Sequence, residues 1–109
     1  MDLSISEETD DAHRRVLRLV GALDLASRDL LLDAAAKALA ASRPTTGLVL
    51  DLAGVSFFDS SGVGAVVQVA RDAEDADAAF ALQAPSQRVT RVLEVSGLLD
   101  AWPIEDAPV

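Results

Sequence analysis

Two hydrophobic periods alternate along the chain. Near the start, "LSIS" (3–6) alternates apolar and polar residues, the period of a half-buried strand. A polar turn, "EETDDA", leads to "HRRVLRLVG" (His13 to Gly21), which reads as a second strand with Val16, Leu17, Leu19 and Val20 apolar. A link this short makes the two strands antiparallel. "LASRDLLLDAAAKALAAS" (Leu25 to Ser42) predicts a helix. Leu31, Ala35 and Leu39 recur at i, i+4 and i+8, with Leu32 alongside, while Arg28, Asp29, Asp33 and Lys37 face water. Pro44 is the stop signal. "LVLDLA" (Leu48 to Ala53) is almost wholly apolar, as a central strand covered on both faces is. "GVSFFD" then reads as a connecting loop, and a second helix runs from Ser60 to about Asp72. "AFALQA" (Ala79 to Ala84) is a fourth strand. "PSQRVTRVLEVSG" is a third helix, opened by Pro85 and Ser86 and closed by Gly97. "LLDAWPI" is a last short strand, and "EDAPV" a frayed end.

The order β-β-α-β-α-β-α-β predicts the α/β class: a mixed, mostly parallel sheet of four to five strands with one antiparallel member. Right-handed crossovers between strands laid down in one direction place the helices mainly on one face. With 109 residues the chain fits a single domain, 1–109.

Charge and composition narrow the partners. A formal net charge of −9 argues against nucleic acid and anionic membranes. Cysteine is absent and His13 is the one histidine, so neither disulfides nor a metal site are expected. The acidic start "MDLSISEETDD" lacks the pattern of a secretory leader, and no apolar run reaches the roughly 20 residues that span a bilayer. A cytoplasmic chain is therefore expected. Enzymatic templates fail as well. Asp59 stands where a nucleophile elbow needs glycine, His13 lies away from the carboxyl edge, and Lys37 follows alanine rather than the glycine of a phosphate loop. Asp24 and Asp59 remain as a bare acid–base pair with nothing to support it. Neither catalysis nor a cofactor is expected.

In parallel sheets, ligands and partners gather at the carboxyl ends of the strands. Three loops are predicted there: "GALD" (Gly21 to Asp24), "GVSFFDSSG" (Gly54 to Gly62) and "QAPSQ" (Gln83 to Gln87). If the second and third strands are neighbours, Asp24 shares a rim with Asp59, Ser60 and Ser61. Asp59 is an N-cap candidate for the amides of Ser61 or Gly62, which leaves the Ser60 hydroxyl exposed at the positive helix end. Gly62 and Gly64 leave room for a partner to reach it. Phe57 and Phe58 offer apolar anchoring, unless one turns into the core. Asp-Ser-Ser-Gly is also ordinary capping chemistry, as is Asp24 before the first helix. His13 reads as an exposed strand residue and Trp102 as packing at the sheet edge.

Three segments in register carry a resemblance: "LVGALDLASRDLLLDAAAKAL", "LVLDLAGVSFFDSSGVGAVV" and "PSQRVTRVLEVSGLLDAW". Together they resemble STAS domains, specifically bacterial anti-sigma factor antagonists. The resemblance implies a protein-binding switch. Its serine, Ser60, is phosphorylated by an anti-sigma factor that is a serine kinase. The unphosphorylated form binds that kinase and frees a sigma factor, and a phosphoserine phosphatase restores it. Asp24 is implied as a partner contact, with Phe58, Asp59, Ser61, Gly62 and Gly64 around the acceptor. No arginine adjoins Ser60 in sequence, so a phosphate there is expected to act by spoiling an interface. Ala22 departs from the pattern, standing where many relatives carry a polar residue, and is expected to alter contacts beside Asp24. The alternative is a non-switching scaffold or ligand-binding module in a larger signalling assembly.

Overall fold

The alternation that begins at Leu3 runs further than its apolar residues suggest. In the computed structural model, which describes residues 2–40 and 46–107, strand β1 spans Leu3–Thr9 and pairs antiparallel with β2, Arg15–Leu23. Glu7, Glu8 and Thr9 are thus strand rather than turn. Diagonal neighbours on β2 explain this, since opposite charges within reach across two strands stabilise a ladder. Arg15 reaches Glu7 at 3.3 Å, and Arg18 reaches Glu8 at 2.6 Å. The turn contracts to the residues between. There Asp10 Oδ1 accepts from the amides of Ala12 (3.0 Å) and Arg14 (2.8 Å). His13 sits in this turn at φ 64°, not in the strand.

Helix α1 (Arg28–Leu39), β3 (Gly47–Phe58), α2 (Ser60–Asp75), β4 (Ala79–Gln83), α3 (Gln87–Val95) and β5 (Ile104–Glu105) follow. The sheet order is β1-β2-β3-β4-β5, with every pair after the first parallel. The mixed, mostly parallel α/β sheet is as the element order predicts. One face carries the core: Leu17, Leu19, Leu48, Leu50 and Leu52 meet Leu31, Ala35 and Ala38 of α1, Ala65, Val66 and Val69 of α2, and Val89 and Leu93 of α3. All three helices therefore lie on that face.

Strand alternation sends Val16, Val49 and Ala81 to the other face, where they form a small row of their own. Beside it Asp51, only 5 % exposed, accepts from Gln83 Nε2 at 3.0 Å and Arg18 Nε at 3.4 Å. The apolar run of β3 predicts cover on both sides. On this side the cover is neighbouring side chains rather than helices. Arg14 contributes, bonding Glu105 of β5 at 2.7 and 2.9 Å and Asp10 at 2.8 Å.

Two further expectations are corrected. "GVSFF" is not a loop, and "GAL" is not one either: Val20–Leu23 pairs with Gly54–Phe58, past register shifts at Arg18/Val20 and Gly21/Ala22. Such bulges interrupt the two-residue period while the ladder continues. Gly21, at φ 116°, takes a conformation that a side chain would strain. Helix α1 is shorter than its apolar pattern, because Leu25 to Ser27 form a turn before it. The Pro44 stop lies outside the described residues. Trp102 packs edge-on against Phe80, with centroids 5.7 Å apart, beside the sheet edge where packing is expected. Glu105, read from sequence as part of a frayed end, is held in β5 by Arg14.

Candidate functional site

The last parallel pair between β2 and β3 is Leu23 with Phe58. Asp24 and Asp59, one residue further on, therefore leave adjacent strands side by side at the carboxyl edge. Asp59 is extended (φ −133°, ψ −167°), and its Oδ1 accepts from the amides of Ser61 at 3.0 Å and Gly62 at 3.2 Å. This is N-cap geometry, satisfying two of the four orphan donors of the first turn. Ser60 is the first helical residue and is exposed, while Ser61 is half-buried. Asp24 organises the neighbouring bend. Its Oδ1 accepts from the amide and hydroxyl of Ser27, both at 3.0 Å, and the Ser27 hydroxyl also lies 2.7 Å from the carbonyl of Ala22. Ser27, not Asp24, occupies the cap position of α1.

Phe58 does not meet a partner. Its ring is 0 % exposed, a core residue at the end of β3. The phenylalanine turned outward is Phe57, half-buried beneath the Arg88 guanidinium, whose carbon lies 5.2 Å from the ring centroid. The two glycines also separate. A Cβ on Gly62 would stand 2.7 Å from Phe58 Cδ1 and 2.8 Å from the Leu23 carbonyl oxygen, so this glycine is buried to let α2 settle onto the two strand ends. A Cβ on Gly64 would meet nothing within 4 Å, and only this glycine faces open space beside the acceptor. Ala22 is 0 % exposed, and its carbonyl lies 2.7 Å from the Ser27 hydroxyl that Asp24 also contacts.

A groove of about 310 Å³ runs from Ser60 to α3, lined by Arg88, Arg91, Val92, Val95 and Ser96. Arg88, Arg91, Val92 and Val95 recur at i, i+3, i+4 and i+7, which brings them to one helix face. Ser86 fixes that helix against β3, its hydroxyl donating to the Val55 carbonyl at 2.9 Å and its amide to Leu52 at 3.3 Å. Sequence proximity missed these arginines: none adjoins Ser60 along the chain, yet two share its groove. Val95 is 82 % exposed, and Leu25, next to Asp24, is 69 % exposed. Among the described residues no cluster of three or more metal-ligating side chains occurs, and no helix is long and apolar enough to cross a membrane.

The arrangement is an exposed serine at a helix tip, with two carboxylates on its rim and exposed arginines and Val95 along its groove. It suits a protein surface. The anti-sigma factor antagonist SpoIIAA in its unphosphorylated form is 30 % identical, with 96 % of this chain and 89 % of that chain covered and a TM-score of 0.77. The phosphorylated form of SpoIIAA, a Bacillus cell fate determinant, is 28 % identical over 96 % of this chain and 92 % of that one, TM-score 0.71. A sulfate transporter family protein from Wolinella succinogenes shares the fold at 16 % identity, TM-score 0.70, over 83 % of this chain and 74 % of that one. The STAS domain family model matches residues 4–107, and the chain belongs to that family.

Proposed function

We propose that this chain is a cytoplasmic anti-sigma factor antagonist whose binding to an anti-sigma factor kinase is set by phosphorylation of Ser60. One observation carries the reading: the Ser60 hydroxyl stands exposed at the amino tip of α2, on the rim that Asp24 and Asp59 share. Likeness to an antagonist at 30 % identity supports it. Ser60 Oγ would attack the γ-phosphorus of ATP held by the kinase. An O–P bond forms as the bond to the ADP oxygen breaks, and the hydroxyl proton passes to a base of the kinase. A phosphatase returns the serine by hydrolysis. The chain itself supplies the acceptor and its presentation, not the catalysis.

The switch is electrostatic and steric. Phosphorylation places about −1.5 to −2 charge where the bare hydroxyl stood. An interface formed around the hydroxyl then has to accommodate a dianion, and a penalty of about 4 kcal/mol weakens binding roughly a thousandfold. Incubation with the cognate kinase and ATP is expected to add one phosphate, mapped by mass spectrometry to Ser60. Ser60→Ala is expected to bind the kinase and resist labelling, while Ser60→Asp loses binding. Equal binding by both variants would overturn the switch and favour a non-switching module of a larger assembly.

A further inference from the structure

We infer that Arg88 and Arg91 clamp the phosphate once it is on Ser60, so that the modified chain fills its own partner groove. The inference rests on the reading of Ser60 as a phosphoacceptor, and it names how the modified state is held. Three observations lead to it. First, the carboxylate of Asp59 already takes the amides of Ser61 and Gly62, so the phosphate meets a helix end whose leading donors are engaged. Second, Arg88 and Arg91 line the same groove as Ser60, and neither makes an ion pair among the described residues. Arg14, Arg15 and Arg18, by contrast, are each bound to carboxylates on the sheet. In a chain of net charge −9, two guanidinium groups without an ion pair share a groove with Ser60 and offset Asp24 and Asp59 on its rim. Third, the Arg88 guanidinium carbon lies 5.2 Å from the Phe57 ring centroid, a contact that reduces the freedom of that side chain.

Guanidinium matches phosphate oxygens as a planar fork, and two of them offset the charge of a phosphoserine dianion. Asp24 and Asp59 on the same rim push the other way, which makes the arginines necessary rather than decorative. The consequence differs from repulsion alone. In the bare chain the arginines and Val95 are open to a partner. In the phosphorylated chain the arginines are neutralised and the groove is occupied.

The test is a ³¹P NMR titration of the full chain with phosphoserine installed at position 60 during translation, folded and in urea. The second phosphate ionisation is expected about 1 pH unit lower in the folded chain. Arg88→Gln and Arg91→Gln should each raise it, and the double variant should bring it to the unfolded value or above. Both arginines are exposed, and circular dichroism will establish that the variants fold. A phosphate that titrates alike in folded and unfolded chains, or that ignores both substitutions, overturns the clamp. Kinase binding measured on the same samples keeps the two ideas apart: a phosphorylated chain that binds as tightly as the bare one sinks the switch, whatever the titration shows.

Discussion

Substituting alanine at the two glycines of α2 is expected to act in opposite directions. At Gly62 the added methyl would stand 2.7 Å from the Phe58 ring and 2.8 Å from the Leu23 carbonyl oxygen. Neither neighbour yields cheaply. The ring is fully enclosed in the core, and the oxygen belongs to a strand end paired with Phe58. Overpacking of this kind costs about 1–3 kcal/mol. Alanine's better helix propensity returns about 1 kcal/mol. The net loss is therefore up to roughly 2 kcal/mol, which lowers the Tm of a domain this size by up to roughly 8 °C. At Gly64 the methyl meets nothing within 4 Å, so only the propensity gain remains and Tm rises. Thermal and urea unfolding followed by circular dichroism read both. Gly64 also lies four residues after Ser60, on the same helix face. If it is kept open for a partner, Gly64→Ala weakens the kinase complex while stabilising the free chain. A Gly62→Ala chain more stable than the parent would refute the packing argument. So would a Gly64→Ala chain that is less stable.

Two further substitutions test the cap and the ion cluster. Asp59→Ala should cost about 1 kcal/mol of stability in urea unfolding, with Asn at the same position recovering most of it, because Asn also accepts from the Ser61 and Gly62 amides. Hydrogen bonding from Arg14 holds the Glu105 carboxyl below its ordinary value against the upward pull of burial. For Asp10 burial pulls upward, and the bonds from Arg14 outweigh it. Carboxyls lowered in the folded state stabilise it above their unfolded pKa values, and that stabilisation fades as pH falls through the folded ones. Glu105→Gln should thus cost about 1 kcal/mol at pH 7, a modest figure for a half-exposed pair. The gap from the parent should close as pH falls beneath the ordinary glutamate range and the parent's carboxyl takes up its proton. A gap unchanged down to pH 2 would show that charge is not what ties β5 to Arg14.

Element order was readable because the chain changes period cleanly between strands and helices. Strand ends were not. "EET" looks like a turn because its side chains are polar, yet Arg15 and Arg18 reach Glu7 and Glu8 diagonally from β2 and make the ladder favourable there. "GVSFF" looks like a loop because it opens on glycine and breaks the apolar run. Its pairing to Val20–Leu23 depends on two bulges, and a bulge leaves no mark in a two-residue period. Asp59 as a cap was legible, since the capping bond spans only two or three residues and local sequence suffices to see it.

The aromatic pair and the arginines mark the limit of local reading. Phe57 and Phe58 are chemically alike, and which of them is buried depends on the phase of β3, which the bulges reset. On α3, periodicity picks out Val89 and Leu93 as the buried stripe and leaves Arg88, Arg91 and Val95 as an ordinary wet face. That face becomes part of the site only because Ser86 ties the start of α3 to Leu52 and Val55, which draws it toward the α2 tip. A phosphate on Ser60 is then judged by charges about thirty residues away in sequence and one groove away in space. Those charges would be favourable, so repulsion along the chain is the wrong measure of the modification. What matters is whether the groove, once neutralised and filled, still has anything to offer a partner.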